Sequence, residues 1–204
     1  MGHRFQEIAF NDTVKSVQEK LGSRRGYSRR VGGDFVFNNA LGPREAAFIA
    51  NRDSFYMASV SETGWPYVQH RGGPAGFVRV LDERTIGFAD FSGNRQYVSV
   101  GNLMTDDRVS LFFMDYPNQT RLKLLGRARF VASDETAMLE KLAPADYKAR
   151  VERGLLITVE AFDWNCPQHI TPRFTAEQVE DAITPLRARI AKLEAQLQKE
   201  PSAS

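Results

Sequence analysis

The segment most suited to chemistry is Phe88-Ala89-Asp90-Phe91-Ser92-Gly93-Asn94-Arg95-Gln96-Tyr97-Val98-Ser99-Val100-Gly101-Asn102-Leu103. A β-rich run ends in a small, polar, glycine-containing loop, and the pattern predicts a helix from near Asn94 with Val98 and Leu103 turned inward. A helix N-terminus offers unpaired N–H groups and a partial positive charge. An arginine in its first turn adds a bidentate ligand for phosphate. The segment therefore reads either as a phosphate cradle or as a strand–loop–helix junction whose arginine is merely solvated. Cys166 and His169 have metal-ligand spacing, but two ligands are too few for a structural zinc. Cys166 as a nucleophile would need a cationic neighbour to lower its pKa, and no such neighbour can be placed from sequence. Ser23 to Gly33 holds four arginines and three glycines without a period. It reads as an exposed connector, with a site for phosphate or an acidic partner as the alternative.

The elements that must position these residues follow from hydrophobic period and turn chemistry. Asp12 or Thr13 caps a short helix with Val14, Val17 and Leu21 on its packed face and Gly22 as its stop. Gly42-Pro43 opens a second helix over Arg44 to Asn51, proline standing where its missing N–H costs nothing. Strands are predicted at Phe55–Val60, Tyr67–His70, Phe77–Leu81, Ile86–Ala89, Val109–Tyr116, Arg121–Val131 and Leu155–Phe162, joined mostly by short turns. A helix over Asp134 to Leu142, capped by Ser133, falls between the last two. About seven strands with inserted helices favour a closed or nearly closed antiparallel barrel, which removes exposed sheet edges. A long final helix from about Glu177 to Lys199 places Val179, Ile183, Leu186, Ile190, Leu193 and Leu197 three or four residues apart. This coiled-coil-like stripe should pack on a partner subunit or on the barrel, with a kink or restart at Pro185.

Composition bounds the function. With 42% hydrophobic and 25% charged residues the chain is globular, which excludes disorder, collagen and a disulfide scaffold. The 27 Lys+Arg against 25 Asp+Glu leave +2, too little for wholesale binding to nucleic acid or anionic membrane. That balance weighs against a single-strand nucleic-acid site built from Arg24, Arg25, Tyr27, Arg29 and Arg30. One cysteine makes no internal disulfide, and Met1 to Arg4 lack the apolar run of a signal peptide. A cytoplasmic location is expected, without a membrane span.

Residues spread over several elements resemble the pyridoxamine 5'-phosphate oxidase superfamily of flavin-binding split barrels. There a strand ending in Tyr-Thr leads into Gly-Ser-Arg-Lys and a helix, then Asn-Pro-x-Val-x-Leu-x-Phe. Here the chain reads Ala89-Asp90, Gly93-Asn94-Arg95-Gln96, and Asp107-Arg108-Val109-Ser110-Leu111-Phe112-Phe113, followed by Gly126-Arg127-Ala128-Arg129-Phe130, which looks like the family's strand ending in Gly-x-Ala. The likeness runs from about Pro43 to Val131. It implies a mainly β chain with flanking helices: an FMN-binding split β-barrel, antiparallel and Greek-key-like, over 43–174, after an N-terminal helix and basic connector over 1–42 and before a long C-terminal helix over 175–204.

By the same resemblance Asn94, Arg95 and Gln96 hold the FMN phosphate, Ala89 and Asp90 line that end, and Val68, Gln69, His70 and Arg71 flank the isoalloxazine ring. His70 could then donate a proton or hydrogen bond to substrate. Gln96 replaces the family's lysine, so one positive charge is lost, to be compensated by Arg71 or reflected in lower affinity. The ending Asp163 to Arg173 resembles a subgroup of predicted flavin-nucleotide-binding proteins, in which Trp164, Gln168 and Arg173 would reach the partner subunit's flavin. The arginine- and histidine-containing ending that recognises pyridoxal phosphate is absent from the sequence. The resemblance implies a homodimer with flavin at the subunit interface, acting as an oxidoreductase on an unidentified small molecule. The alternative is a flavin-nucleotide carrier or sensor. A deazaflavin or haem, bound by related barrels, could stand in place of FMN.

Overall fold

The structure, a computed structural model, describes residues 2–28, 36–132, 134–145, 147–164 and 167–197. Its elements in chain order are β1 (Gly2–His3), α1 (Arg4–Ala9), α2 (Asp12–Lys20), α3 (Arg24–Ser28), β2 (Val36–Phe37), α4 (Pro43–Ala50), β3 (Ser54–Val60), β4 (Pro66–Gly72), β5 (Arg79–Asp82), β6 (Thr85–Phe91), α5 (Val98–Thr105), β7 (Arg108–Asp115), β8 (Thr120–Val131), α6 (Thr136–Leu142), β9 (Val151–Trp164) and α7 (Ala176–Leu197).

Seven strands form one antiparallel sheet in the order β4-β3-β7-β8-β9-β6-β5. The hairpins β3–β4 and β5–β6 flank a meander of β7, β8 and β9, so hairpins adjacent in sequence occupy opposite ends of the sheet. Rolling brings those ends together around the core. Phe55 of β3 meets Phe88 of β6 edge to face at 5.2 Å, with Phe77 and Phe113 at 5.8 and 4.9 Å on either side. All four phenylalanines are fully buried, and their transfer from water is the main term holding the roll closed. The seam between the two ends is bridged by an ion pair, Arg71 of β4 to Asp90 of β6.

Alternation along the strands produces this interior. In β7, Val109, Leu111 and Phe113 face in while Arg108, Ser110 and Phe112 face out. Gly126 sits at a register shift between β8 and β9. A Cβ there would lie 2.6 Å from the Thr158 carbonyl, so the strands can approach this closely only at a glycine. The N-terminal segment covers the outer face of β8 and β9: His3 Nε2 stands 3.5 Å from Asp163 and Arg4 stands 3.7 Å from Glu160. Asn38 exchanges hydrogen bonds with the Phe162 backbone.

Several expectations change. α2 is capped by Asn11, whose side chain accepts from the Val14 N–H at 2.9 Å. Val17 and Leu21 stay exposed, and the buried residue of that helix is Gln18, which accepts from Arg24. The arginine-rich connector begins as the helical turn α3 rather than as a loop; Arg29 and Arg30 lie outside the described residues, as do Ser133 and Cys166. Glu135, not Ser133, precedes α6. α7 runs unbroken through Pro185, so no restart occurs there. No α7 residue is buried, and the stripe does not pack on the barrel.

Candidate functional site

β6 delivers Asp90 and Phe91 to one end of the roll, where residues 92–97 turn back before α5. The helix begins at Val98, four residues later than the sequence pattern suggests. Two side chains explain the delay. Asn94 Oδ1 accepts from the Gln96 N–H at 3.3 Å, closing a local turn. Arg95 and Tyr97 both adopt left-handed backbone, φ 58° and 55°, which ends helical continuity and costs energy at non-glycine residues. Arg95 thus projects from a loop, not from a first helical turn, and Val98 is partly exposed while Leu103 is buried. α5 is fastened from below: Asn102 donates to buried Ser59 at 2.9 Å and Ser99 to Gln69 at 2.7 Å.

The charges around this loop form one network. Arg71 donates to Asp90 across the seam. Arg153 Nε stands 3.4 Å from the other Asp90 oxygen, and its terminal nitrogen donates to Glu152 at 2.8 Å. Arg95 Nε donates to the Tyr97 hydroxyl at 3.0 Å, and the Arg153 guanidinium lies 5.1 Å from the Tyr97 ring centre. The Tyr97 hydrogen bond holds the Arg95 guanidinium more firmly in its charged form. The Arg153 hydrogen bond, against a smaller cost of desolvation, holds the Glu152 carboxyl below its usual range. Three guanidinium groups thus face two carboxylates, an excess of one positive charge beside a cavity of about 250 Å³ lined by Gln69, Arg71, Asn94, Arg95, Gln96 and Ser99 among others.

These donors fit a phosphate monoester. Arg95 is exposed and its terminal nitrogens have no partner among the described residues, while buried Arg71 Nε has no acceptor. An anion would meet free hydrogen-bond donors and a net positive field. Arg71 does not simply replace the missing lysine, because Asp90 already holds it. The additional cation is Arg153, which sequence reading missed together with Glu152, Tyr97 and Ser99.

The other expected site residues divide between locations. Gln69 and Arg71 face the cavity, and a second space of about 190 Å³ beside it is bordered by His70, Gly72 and Ala89 as well as by these two. Strand alternation turns Val68 and His70 to the outer face, where the His70 ring meets Tyr56 at 5.5 Å. There Tyr56, Ala58, Val68, Phe112, Met114 and Tyr116 line an apolar groove of about 420 Å³. Arg173 lies 4.8 Å from the centre of the Tyr116 ring. Trp164 is fixed at a different place: its Nε1–H donates to Glu45 at 2.7 Å, its ring meets Phe48 at 4.8 Å, and Arg44 stacks over it at 4.2 Å. Gln168 is exposed. Within one chain, Trp164, Gln168 and Arg173 therefore do not join Asn94, Arg95 and Gln96.

Comparison with known proteins bears on this arrangement. Residues 41–165, well over half of the chain, match the model of a family described as pyridoxamine 5'-phosphate oxidase. Among solved structures, HupZ of Group A Streptococcus is 15% identical with a TM-score of 0.49, covering 66% of this chain and 100% of that one. A Clostridium acetobutylicum protein of the pyridoxinephosphate oxidase family, related to general stress protein 26, is 15% identical with a TM-score of 0.43, covering 67% and 94%. An FMN-binding protein of Syntrophomonas wolfei is 11% identical with a TM-score of 0.42, covering 76% and 96%. No curated protein matches the sequence.

Proposed function

Because this chain belongs to the pyridoxamine 5'-phosphate oxidase family, we propose that it is an FMN-binding oxidoreductase working as a homodimer on a small molecule. The observation that carries the reading is the cationic network at the end of β6, with Arg95 exposed and Arg71 Nε buried without an acceptor beside the cavity. Arg95, Asn94 and Gln96 would hold the phosphate, and Asp90 fixes Arg71 at the cavity wall, with Arg153 outside the lining on the other Asp90 oxygen. Gln69 and Arg71, which face the cavity, would flank the flavin ring, and Ala89 borders the space beside it. FMN, when bound, supplies the redox-active ring that accepts and releases electrons or hydride. The chain's own work is to bind, orient and exclude water; no residue needs to act as nucleophile.

The apolar outer face of β4, β3 and β7, with Tyr56 and Val68 exposed, supports association of two copies with the flavin between them. Across such an interface Val68, His70, Gln168 and Arg173 would approach the partner's flavin, whereas Trp164, held by Glu45, Phe48 and Arg44, would not. Among the described residues no helix is long and apolar enough to cross a membrane, which suits a cytoplasmic small-molecule enzyme.

The test of turnover is reduction of the FMN-loaded protein under anaerobic conditions. Bleaching by NADH or NADPH, followed by recovery of colour on admitting air, supports the oxidoreductase. Tight FMN binding without reduction by either donor points to the carrier or sensor instead.

A further inference from the structure

The long C-terminal helix carries a surface that the barrel does not use. α7 is closed at its start by a reciprocal cap, Thr175 Oγ1 accepting from the Gln178 N–H at 3.1 Å and Gln178 Oε1 accepting from the Thr175 N–H at 2.9 Å. From there 22 residues run as one helix with none buried, a length of about 33 Å. Val179, Leu186, Ile190, Leu193 and Leu197 are 43%, 62%, 55%, 41% and 70% exposed. An apolar stripe of that length does not remain in water without a partner.

The spacing identifies the partner. Val179, Ile183, Leu186, Ile190, Leu193 and Leu197 follow one another by steps of 4, 3, 4, 3 and 4 residues, the heptad seam of a supercoiled pair. Ile183, Ile190 and Leu197 take position a and Val179, Leu186 and Leu193 take position d, so the two central heptads carry isoleucine at a and leucine at d. β-Branched residues at a with leucine at d favour two parallel strands over three or four. Pro185 falls at c, on the outer face, where it costs the helix its bond to the Asp181 carbonyl but puts no ring in the seam.

The flanking charges choose the direction. Positions e hold Glu180, Arg187 and Glu194; positions g hold Ala182, Arg189 and Gln196. In a parallel pair, g of one helix faces e five residues onward in the other, which sets Arg189 against Glu194 on both sides of the seam. An antiparallel pair centred on this stripe instead sets Glu180 against Glu194, Arg187 against Arg187 and Arg189 against Arg189. Every charged contact of that alternative is repulsive. Glu180 and Arg187 satisfy each other within one helix at 2.6 Å, whereas among the described residues Arg189 and Glu194 make no ion pair in their own chain.

We propose that α7 pairs with α7 of a second copy as a parallel two-stranded coiled coil, with Arg189 and Glu194 as its directional contacts. The proposal concerns how two copies are joined and does not require flavin. Leu193→Cys in the full chain, with Cys166→Ser to remove the native thiol, tests it by mild oxidation and non-reducing electrophoresis. Leu193→Cys chains cross-link to one another much faster than chains carrying Lys192→Cys on the outer face. Arg189→Glu slows that cross-linking severalfold, and Arg189→Glu with Glu194→Arg restores it. Cross-linking no faster than at Lys192→Cys overturns the pairing, as would docking of α7 in the partner's outer groove. Faster cross-linking between mixed Leu193→Cys and Ile183→Cys chains than between Leu193→Cys chains overturns the parallel direction. FMN uptake measured on the same samples separates failure of this proposal from failure of the flavin site.

Discussion

Two ends of the barrel use the same residue types to opposite effect. At the α4 end, Arg44, Glu45, Phe48 and Trp164 satisfy one another: the Glu45 carboxylate accepts from the Gly42 N–H at 3.0 Å and from Trp164 at 2.7 Å, and Arg44 covers the indole. At the β6 end, Asp90 is shared by two arginines, a third arginine stands exposed in a strained loop, and a buried Nε has no acceptor. The first end carries as many carboxylates as guanidinium groups, Glu45 and Asp115 with Arg44 and Arg52, around a space of about 270 Å³. The second has more donors than acceptors, the condition for binding an anion. Arginine and aromatic content alone therefore does not mark a site; the balance of partners does.

The largest effect that would sharpen this contrast is at Asp90. Asp90→Ala leaves Arg71 as a largely buried charge without a carboxylate partner and Arg153 with Glu152 alone, and should destabilise the chain by about 3–5 kcal/mol, measured by urea unfolding. Saturating FMN should recover part of that loss, since its phosphate supplies the missing anion. An unchanged midpoint would show that the seam is not held there. Arg95→Ala should weaken FMN binding on the order of ten- to a hundredfold in a fluorescence titration while leaving unfolding in the absence of FMN nearly unaltered.

At the charge-balanced α4 end the pattern should reverse. Glu45→Ala removes the acceptor for both Gly42 and Trp164 and should cost about 1–3 kcal/mol of stability with no change in FMN affinity. A loss of affinity would break the distinction between the two ends.

The smallest effects are in pH dependence. Glu152 has a lowered pKa in the folded chain, chiefly from the Arg153 hydrogen bond. Its contribution is present above the ordinary carboxyl value of 4.5 and fades as pH falls through the lower folded value, so Glu152→Gln should flatten the acid limb of the stability curve slightly. Tyr116 is shifted upward, first by its hydrogen bond to Tyr56 and then by burial. Its contribution is present below the ordinary value of 10.0 and is lost as pH rises through the folded one. Tyr116→Phe should remove that alkaline loss.

Much of the barrel is legible in sequence because the sheet has one dry face. Phe55 and Met57, or Leu111 and Phe113, alternate with outward residues and can be read without tertiary information. The site is less legible. Asn94 looks like a helix cap, yet its side chain is spent on Gln96, and only the left-handed backbone at Arg95 and Tyr97 reveals where α5 starts. Arg153 was missed because a strand read from Leu155 onward does not reach it. Its partner Asp90 is opposite only in the β6–β9 register. The helix stripe of α2 misled for a related reason: Val14, Val17 and Leu21 have the right period, but the tertiary contact there is made by Gln18 through Arg24.

The most direct measurement of the central claim is uptake of FMN by the purified chain, read as flavin absorbance that travels with the protein and is released on denaturation. About one FMN per chain is expected for the unaltered protein, with markedly weaker retention for Arg95→Ala. A colourless protein that takes up no added FMN, or equal retention by Arg95→Ala, would contradict it.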